Sequence, residues 1–189
     1  IDARFRPARQ VAGDFYDSFV LPSGHVAVVV ADVCDKGVGA ALFMALFRSL
    51  LRALAEQWFA DGTSETALHA TVVATNDYIA RTHSSANMFA TVFFGVLDPE
   101  TGRLMYVNAG HDSPFVYDVA GQLRTRLEPT GAALGMLPGL PFGTAHVTLA
   151  SGEMLIAVTD GVFDTHNSAG ESFGEAPFTA LAARSASEA

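Results

Sequence analysis

Cysteine is nearly absent from this sequence, since Cys34 is the only one in 189 residues. An internal disulfide is therefore excluded, and we expect a cytoplasmic protein, because this composition is typical of reducing compartments. Basic residues are also scarce: 11 Lys and Arg stand against 20 Asp and Glu, which gives a formal net charge of −9. This balance disfavours binding to nucleic acids and to anionic membranes, both of which require clustered cations.

Long apolar runs are the next absence. No run approaches the ~20 residues that a membrane-spanning helix needs, so we expect no membrane segment. Hydrophobic residues nevertheless make up 50% of the chain and charged residues only 16%. We therefore expect residues 1–189 to form a single compact domain. The excess of acids suits a site for divalent cations, because carboxylates around a metal need no arginine partners.

The most informative stretch runs from His25 to Gly39, with the sequence HVAVVVADVCDKGVG. Its β-branched run at 26–31 predicts a strand buried on both faces, and the segment before it predicts an antiparallel hairpin partner. The strand ends at Asp32, where a carboxylate at the edge of a core is costly unless it is paired or bound to a metal. The hairpin brings Asp14 within reach of Asp32.

The rest of the pattern indicates alternating blocks of helix and strand. Helices are predicted over 38–55 and 64–81, the second with Ser64 as its N-cap. Strands are predicted at 88–97, 103–109, 115–119 and 122–127, and a last clear hairpin pairs 144–149 with 153–158. The fold class is therefore α+β, with two antiparallel sheets face to face and the helix pair on an outer face.

The strand predicted at 153–158 also ends at an acid, Asp160. This repetition predicts one site formed by Asp14, Asp32 and Asp160, with Asp17, Asp35 and Asp164 nearby. Hard oxygen ligands without a His or Cys cluster select Mg²⁺ or Mn²⁺ over zinc. Two such ions about 4 Å apart activate a bridging water and clamp a phosphoryl group, so that no enzyme nucleophile is needed. Each acid taken singly has an alternative interpretation as a turn former or helix N-cap.

Five segments carry a family resemblance: RPARQVAGDFYD at 6–17, VADVCDKGVGAALFMA at 30–45, the segment 87–115, GAALGM at 131–136 and the segment 152–174. They resemble the SpoIIE-like branch of the PPM-type (protein phosphatase 2C-like) metal-dependent serine/threonine phosphatases. The resemblance implies an α-β-β-α sandwich of two antiparallel sheets flanked by helices, with two metal ions between the sheets. It implies that Asp14, Asp32, Asp160 and the Val33 carbonyl bind metal, with Asp32 bridging the ions and Asp32 and Asp160 acting in catalysis.

The resemblance also implies a function. It predicts hydrolysis of phosphoserine or phosphothreonine in a protein with two Mn²⁺ or Mg²⁺ ions, and a phosphorylated anti-sigma-factor antagonist as the substrate in partner-switching signalling. A sensor domain is expected elsewhere in the same chain, and a homodimer is left open. Arg9 can hold the substrate phosphate bidentately or form a surface ion pair. His111 can protonate a leaving group or cap its own loop.

Departures from the family pattern leave alternatives open. The usual serine–glycine step after the bridging acid is Cys34-Asp35 here. Cys34 is either a core residue or a redox-sensitive thiol, and Asp35 either adds a carboxylate to the site or caps the next helix. The family's final strand and last metal-binding acid have no counterpart after Phe178, so we expect a domain excised from a longer multidomain protein and lacking the final strand. Whether the last metal-binding acid lies beyond residue 189 is left open. The alternative functions are a catalytically weakened, phosphatase-like binding or regulatory module and a hydrolase of other phosphoesters, such as nucleotides.

Overall fold

The computed structural model describes residues 1–7, 11–62 and 64–188. The strands are β1 Phe15–Val20, β2 Val26–Val33, β3 Ala90–Leu97, β4 Arg103–Ala109, β5 Phe115–Tyr117, β6 Leu123–Arg126, β7 Ala145–Thr148 and β8 Met154–Ile156. The helices are α1 Val38–Trp58, α2 Glu65–Thr82 and α3 Glu175–Glu188. The chain divides into two compact units, Ile1–His111 with Pro129–Thr148, and Asp112–Glu128 with Leu149–Ala189.

The first unit contains a five-stranded antiparallel sheet in the order β1-β2-β3-β4-β7. Burial alternates strictly along β1 and β2, as expected for strands that place every second residue in the core. The core side of β1 and β2 carries Phe15, Phe19, Val29 and Val33, which share one cluster with Phe47 of α1. The predicted hairpin of the first two strands is confirmed.

Helices α1 and α2 cover the core side of this sheet. Phe47 and Leu51 of α1 and Leu68 of α2 are fully buried. The predicted cap of α2 is confirmed, because Ser64 Oγ accepts a hydrogen bond from the Ala67 N–H at 3.0 Å. Each of these helices begins within one residue of its predicted start and runs past its predicted end.

By length and composition alone, α1 is apolar and long enough to cross a membrane, the one such helix in the described ranges. Arg48 and Arg52 interrupt its apolar residues, and the expectation of no membrane segment stays a prediction. The apolar residues of α1 include Phe47, Leu51 and Ala55, which are buried in the core of the first unit. Core helices of soluble proteins pass the same test, so this property is weak evidence for a membrane segment.

The second unit contains a three-stranded antiparallel sheet in the order β6-β5-β8. The core of this unit joins Phe115 and Tyr117 of β5 to Ala182 and Ala186 of α3. The ring of Phe178 lies 5.4 Å from that of Phe115, centroid to centroid. The apolar face of helix α3 therefore packs against the apolar face of this small sheet.

The mixed α+β class, with two antiparallel sheets and three helices, is confirmed. Two details were wrong. Residues 144–158 do not form a hairpin, because β7 pairs with β4 in the first sheet and β8 pairs with β5 in the second. Helix α3 was not predicted at all. The single domain over 1–189 stays a prediction.

The loop before β7 packs tightly against the helices at one glycine. Gly135 has φ +89°, and a Cβ atom there would lie 2.7 Å from Cγ2 of Ile79 and 3.2 Å from Cζ of Phe47. Gly139 has a similar φ of +72°, but a Cβ atom there would meet nothing within 4 Å. The two glycines therefore share a backbone conformation and differ in crowding.

We predict that Gly135→Ala destabilises the protein more than Gly139→Ala does. Both substitutions place a side chain at positive φ, which costs about 1–2 kcal/mol. Only Gly135→Ala adds a clash in the core, worth about 1–3 kcal/mol more. Urea denaturation of the two variants measures the difference. Equal unfolding midpoints would show that the residues around Gly135 move aside without a cost in stability.

Candidate metal site

Asp14 directly precedes β1, and Asp32 lies on the neighbouring strand β2. Phe15 pairs with Ala31 at the end of the β1–β2 ladder, so the register continued by one residue places Asp14 across from Asp32. Residues opposite each other in an antiparallel pair point to the same face, with Cβ atoms about 4.5–5.5 Å apart. Because Phe15 and Ala31 face the core, the two carboxylates share the other face of the sheet.

The Val33 carbonyl lies beside this pair, in a place that only glycine permits. A Cβ atom built on Gly13 would lie 2.6 Å from the Val33 oxygen, closer than real Cβ atoms come to backbone oxygens. Gly13 therefore lets the chain before β1 pass directly along the end of β2. Two carboxylates and one carbonyl in this arrangement are hard oxygen donors, and they fit a Mg²⁺ or Mn²⁺ ion by chemical type.

On the other side of β2, Asp32 pairs in register with Thr91 of β3. The Thr91 hydroxyl is 3.0 Å from Nδ1 of the His111 ring. The backbone N–H of His111 donates a hydrogen bond to Oδ1 of Asn108 at 2.8 Å. His111 is buried, with 3% of its surface exposed. These contacts favour the structural role for His111. Thr91 was not identified from the sequence, because a single threonine in an apolar strand carries no distinctive signal.

Asp17 does not belong to this cluster. It lies on the core face of β1 and accepts hydrogen bonds from Arg48 and Arg52 of α1 at 3.2–3.3 Å. Its side chain is 6% exposed. The expectation that Asp17 lies near the predicted metal ligands was wrong. Side chains alternate between the two faces of a strand, so residues three positions apart, such as Asp14 and Asp17, point to opposite faces.

Cys34-Asp35 forms the turn that leaves β2. Asp35 has φ +71°, the left-handed region that favours glycine, and its Oδ1 accepts a hydrogen bond from the Lys36 N–H at 2.8 Å. The N-cap of α1 is Gly37 and has no side-chain capping bond, so Asp35 does not cap this helix. The half-buried Cys34 Sγ accepts a hydrogen bond from the Phe89 N–H at 3.2 Å.

Asp160 lies in the second unit, where it begins a short 3₁₀ helix, Asp160–Val162. Its carbonyl accepts a hydrogen bond from the Asp164 N–H at 2.9 Å. Other acids gather in this unit. Burial, followed by the charges of Asp164 and Glu175, raises the pKa of the Asp112 carboxyl. Glu175 itself pairs with Arg126.

The described part of the chain contains no group of three or more His, Cys, Asp or Glu side chains arranged to hold a metal. The register of β1 with β2, continued by one residue, sets Asp14 opposite Asp32, and the Val33 carbonyl lies beside Gly13. Arg9, the predicted phosphate ligand, lies outside the described residues. The metal-ligand and catalytic roles of Asp14, Asp32, Val33 and Asp160 stay predictions.

Comparison with known proteins gives a consistent result. A family model described as Stage II sporulation protein E (SpoIIE) matches residues 22–189. Protein IcfG of Synechocystis sp. is 44% identical over 193 residues, covering 92% of this chain and 30% of IcfG. Phosphoserine phosphatase RsbU of Bacillus subtilis is 29% identical over 157 residues, covering 82% of this chain and 44% of RsbU. This chain therefore spans less than half the length of these relatives.

The fold is also similar to a solved phosphatase domain. The SiaA-PP2C domain of Pseudomonas aeruginosa superposes with a TM-score of 0.76 at 21% identity, covering 94% of this chain and 68% of that domain. At this identity the similarity shows the fold alone. It agrees with two antiparallel sheets and their helices as described above.

We predict that substitution of Asp17 lowers the stability of the fold, whereas substitution of Asp14 lowers the affinity for Mn²⁺. Asp17→Asn should lower the free energy of unfolding by about 1–2 kcal/mol, because it weakens charged hydrogen bonds to two arginines that stay near half exposed. It should leave Mn²⁺ affinity unchanged. Asp14→Asn should reduce Mn²⁺ affinity at least about tenfold, because it removes the charge of a predicted ligand. Calorimetric titration and urea denaturation measure both quantities, and a loss of metal affinity in Asp17→Asn would contradict the assignment.

A pH-dependent effect is expected at Asp112. Folding raises the pKa of the Asp112 carboxyl, so its ionisation lowers the stability of the fold as pH rises from the unfolded-state pKa through the folded-state pKa. Below the unfolded-state pKa, the carboxyl has no such effect on stability. Asp112→Asn should therefore raise the unfolding midpoint at pH 7 in chelator-treated buffer. The gain should disappear towards pH 3, where the wild-type carboxyl is protonated in both states. A gain that is equal at both pH values would contradict the proposed cause.

Proposed function

Because the chain belongs to the SpoIIE family of PP2C-like phosphatases, we propose that it is a metal-dependent phosphatase of phosphoserine or phosphothreonine in a protein. The observation that supports this most directly is the β1–β2 register, which continued by one residue sets Asp14 opposite Asp32, with the Val33 carbonyl beside Gly13. This is an oxygen donor set on a rigid sheet. It lies in the segment that resembles the family's first two metal-binding motifs.

We propose that Asp14, Asp32 and the Val33 carbonyl hold two Mn²⁺ or Mg²⁺ ions, with Asp160 as a further ligand on the strength of its TDG motif. Bound ions of this kind lower the pKa of water and neutralise phosphoryl charge. The β1–β2 hairpin positions the two carboxylates, because Asp32 lies on β2 and Asp14 directly precedes β1 in a sheet whose other face is packed in the core. Arg9 is proposed to orient the substrate phosphate through its two-pronged guanidinium.

The substrate proposal goes further than the fold. RsbU is named a phosphoserine phosphatase, which supports phosphoserine as the substrate of this chain. We propose a phosphorylated anti-sigma-factor antagonist of partner-switching signalling as that substrate, and a cytoplasmic location. Because IcfG and RsbU are more than twice as long as the matched region, a sensor domain in the same protein is proposed as well.

A second candidate is a phosphatase-like binding module. It is favoured by the turn after β2, where Asp35 occupies a backbone conformation that favours glycine. It also agrees with the finding that the described residues contain no preformed group of three potential metal-binding side chains. The two candidates differ in whether Mn²⁺ binds and whether phosphate is released.

We predict that Mn²⁺-dependent phosphate release from a phosphoserine protein falls at least about a hundredfold in Asp32→Asn, because a carboxylate that would hold the metal ions is lost. The matched control is Asp61→Asn, which changes the same charge at an exposed turn after α1 and should retain full activity. Phosphate release is measured over a Mn²⁺ titration. Tight binding of the phosphoprotein without phosphate release or measurable Mn²⁺ binding would favour the binding module instead.

A further inference from the structure

Thr91 is the one polar side chain of β3, and it stands at the position that pairs with Asp32 of β2. Ala90 and Val92, on either side of it, belong to the core cluster shared with α1 and α2. Thr91 therefore points to the opposite face of the sheet, as Asp32 does. Directly paired residues of antiparallel strands have Cβ atoms about 4.5–5.5 Å apart. The hydroxyl of Thr91 is therefore within hydrogen-bonding reach of the Asp32 carboxylate.

His111 contacts the same hydroxyl. It follows β4, which lies on the other side of β3 from β2. Gly110 makes the turn out of β4 with φ +69°, and a Cβ atom there would lie 3.2 Å from the backbone N of Ala133. Nδ1 of the buried His111 ring is then 3.0 Å from Oγ1 of Thr91. The ring is held in place by its surroundings, because the His111 backbone is bonded to the fully buried Asn108.

The direction of the Thr91 hydroxyl depends on which ring nitrogen of His111 carries the hydrogen. A hydroxyl has one hydrogen to donate and two lone pairs that accept. If Nδ1 carries a hydrogen, it donates to Thr91, and the hydroxyl hydrogen can point at the Asp32 carboxylate. If Nδ1 is bare, the hydroxyl donates to the ring and turns only lone pairs towards that carboxylate. An ionised carboxylate only accepts hydrogen bonds, so it favours the first arrangement.

We propose that Thr91 is a positioning residue for Asp32. Its hydroxyl accepts a hydrogen bond from the Nδ1–H of His111 and donates one to the Asp32 carboxylate, which is thereby held in the orientation that binds metal. This inference rests on the proposed function. Carboxylates that bind metals are themselves held by such outer hydrogen bonds, and the loss of one typically lowers metal affinity or activity about 10–100-fold.

The first test determines the tautomer of His111 in the chelator-treated protein, so its result does not depend on metal or activity. Long-range ¹H–¹⁵N NMR spectra distinguish a protonated Nδ1 from a bare one, and they are recorded at about pH 8, above the ordinary pKa of histidine. Among the six histidines, the His111 signals are those missing from His111→Gln. We expect Nδ1 to carry the hydrogen. A bare Nδ1 would overturn the proposal, because the Thr91 hydroxyl would then donate to the ring.

The second test measures Mn²⁺ affinity by calorimetric titration. Thr91→Val keeps the shape of the side chain but removes the hydroxyl, and it should lower the affinity about tenfold. Thr91→Ser keeps a hydroxyl and should retain the wild-type affinity. Far-UV circular dichroism confirms that each variant is folded. If Thr91→Val does not fold, Thr91→Ala is the second variant without a hydroxyl, and the same loss of affinity is expected.

Thr130→Val is the matched control for a purely structural role. The Thr130 hydroxyl accepts a hydrogen bond from the Asn108 N–H at 3.1 Å, so it supports the same loop that holds His111. The segment of Thr130 lies along β4, two strands away from β2. Thr130→Val should therefore lower the midpoint of urea unfolding and leave Mn²⁺ affinity unchanged.

The remaining outcomes separate this proposal from the proposed function. Wild-type Mn²⁺ affinity in Thr91→Val, an equal loss in Thr91→Ser or an equal loss in Thr130→Val would overturn the positioning role and leave the phosphatase proposal intact. If the wild-type protein binds no Mn²⁺ and releases no phosphate, the proposed function itself fails, and the positioning proposal fails with it.

Discussion

The antiparallel register of β1 with β2 is the constraint on which the candidate site depends. Because side chains alternate between faces, a slip of one residue would move Asp14 to the core face and Phe15 to the opposite one. The core prevents this slip, since Phe15, Phe19 and Val29 bury their side chains against α1 and α2. The close pass of Gly13 along Val33 adds a second restraint that fits one register only. Burial on one face of the sheet thus fixes the position of the carboxylates on the other.

The acids of this chain serve three different purposes that composition does not separate. Asp17 stabilises the fold, because its ion pairs with Arg48 and Arg52 join β1 to α1. Asp77 of α2 orders the loop before β7, because its carboxylate accepts a hydrogen bond from the Gly139 N–H. Asp14 and Asp32 belong to the β1–β2 hairpin region, and the continued register places both on the sheet face opposite the core. A net charge of −9 is therefore the sum of unlike roles, and only part of it suits a cation site.

Much of this arrangement was predictable, because it depends on local patterns. The alternation in β1 and β2, the turn between them and the Ser64 cap are encoded within a few residues. The partner of a strand is not local. Residues 144–158 have the pattern of a hairpin, yet β7 and β8 join different sheets, because each finds a longer-range partner in β4 or β5.

Helix α3 and the role of Asp17 were missed for related reasons. The segment 175–188 is rich in Ala and Ser and has a weak apolar stripe, so its helix is supported chiefly by packing against Phe115 and Tyr117. The ion pairs of Asp17 depend on residues more than 30 positions away. A sequence reading that grouped the acids by proximity along the chain could not separate Asp17 from Asp14. The three-residue spacing between them, taken with strand periodicity, was the signal that could have done so.

The turn after β2 explains how the site tolerates Cys34 and Asp35. The Val33 carbonyl is positioned by the backbone on both sides of β2: Gly13 passes on one side, and on the other the Cys34 N–H donates to the Phe89 carbonyl at 2.9 Å. Neither contact involves the side chain of residue 35. A non-glycine residue at φ +71° costs about 1 kcal/mol, and the bond from the Lys36 N–H offsets part of this cost. The position of the Val33 carbonyl is therefore set by two strands and a glycine, and it does not depend on the side chains of the turn.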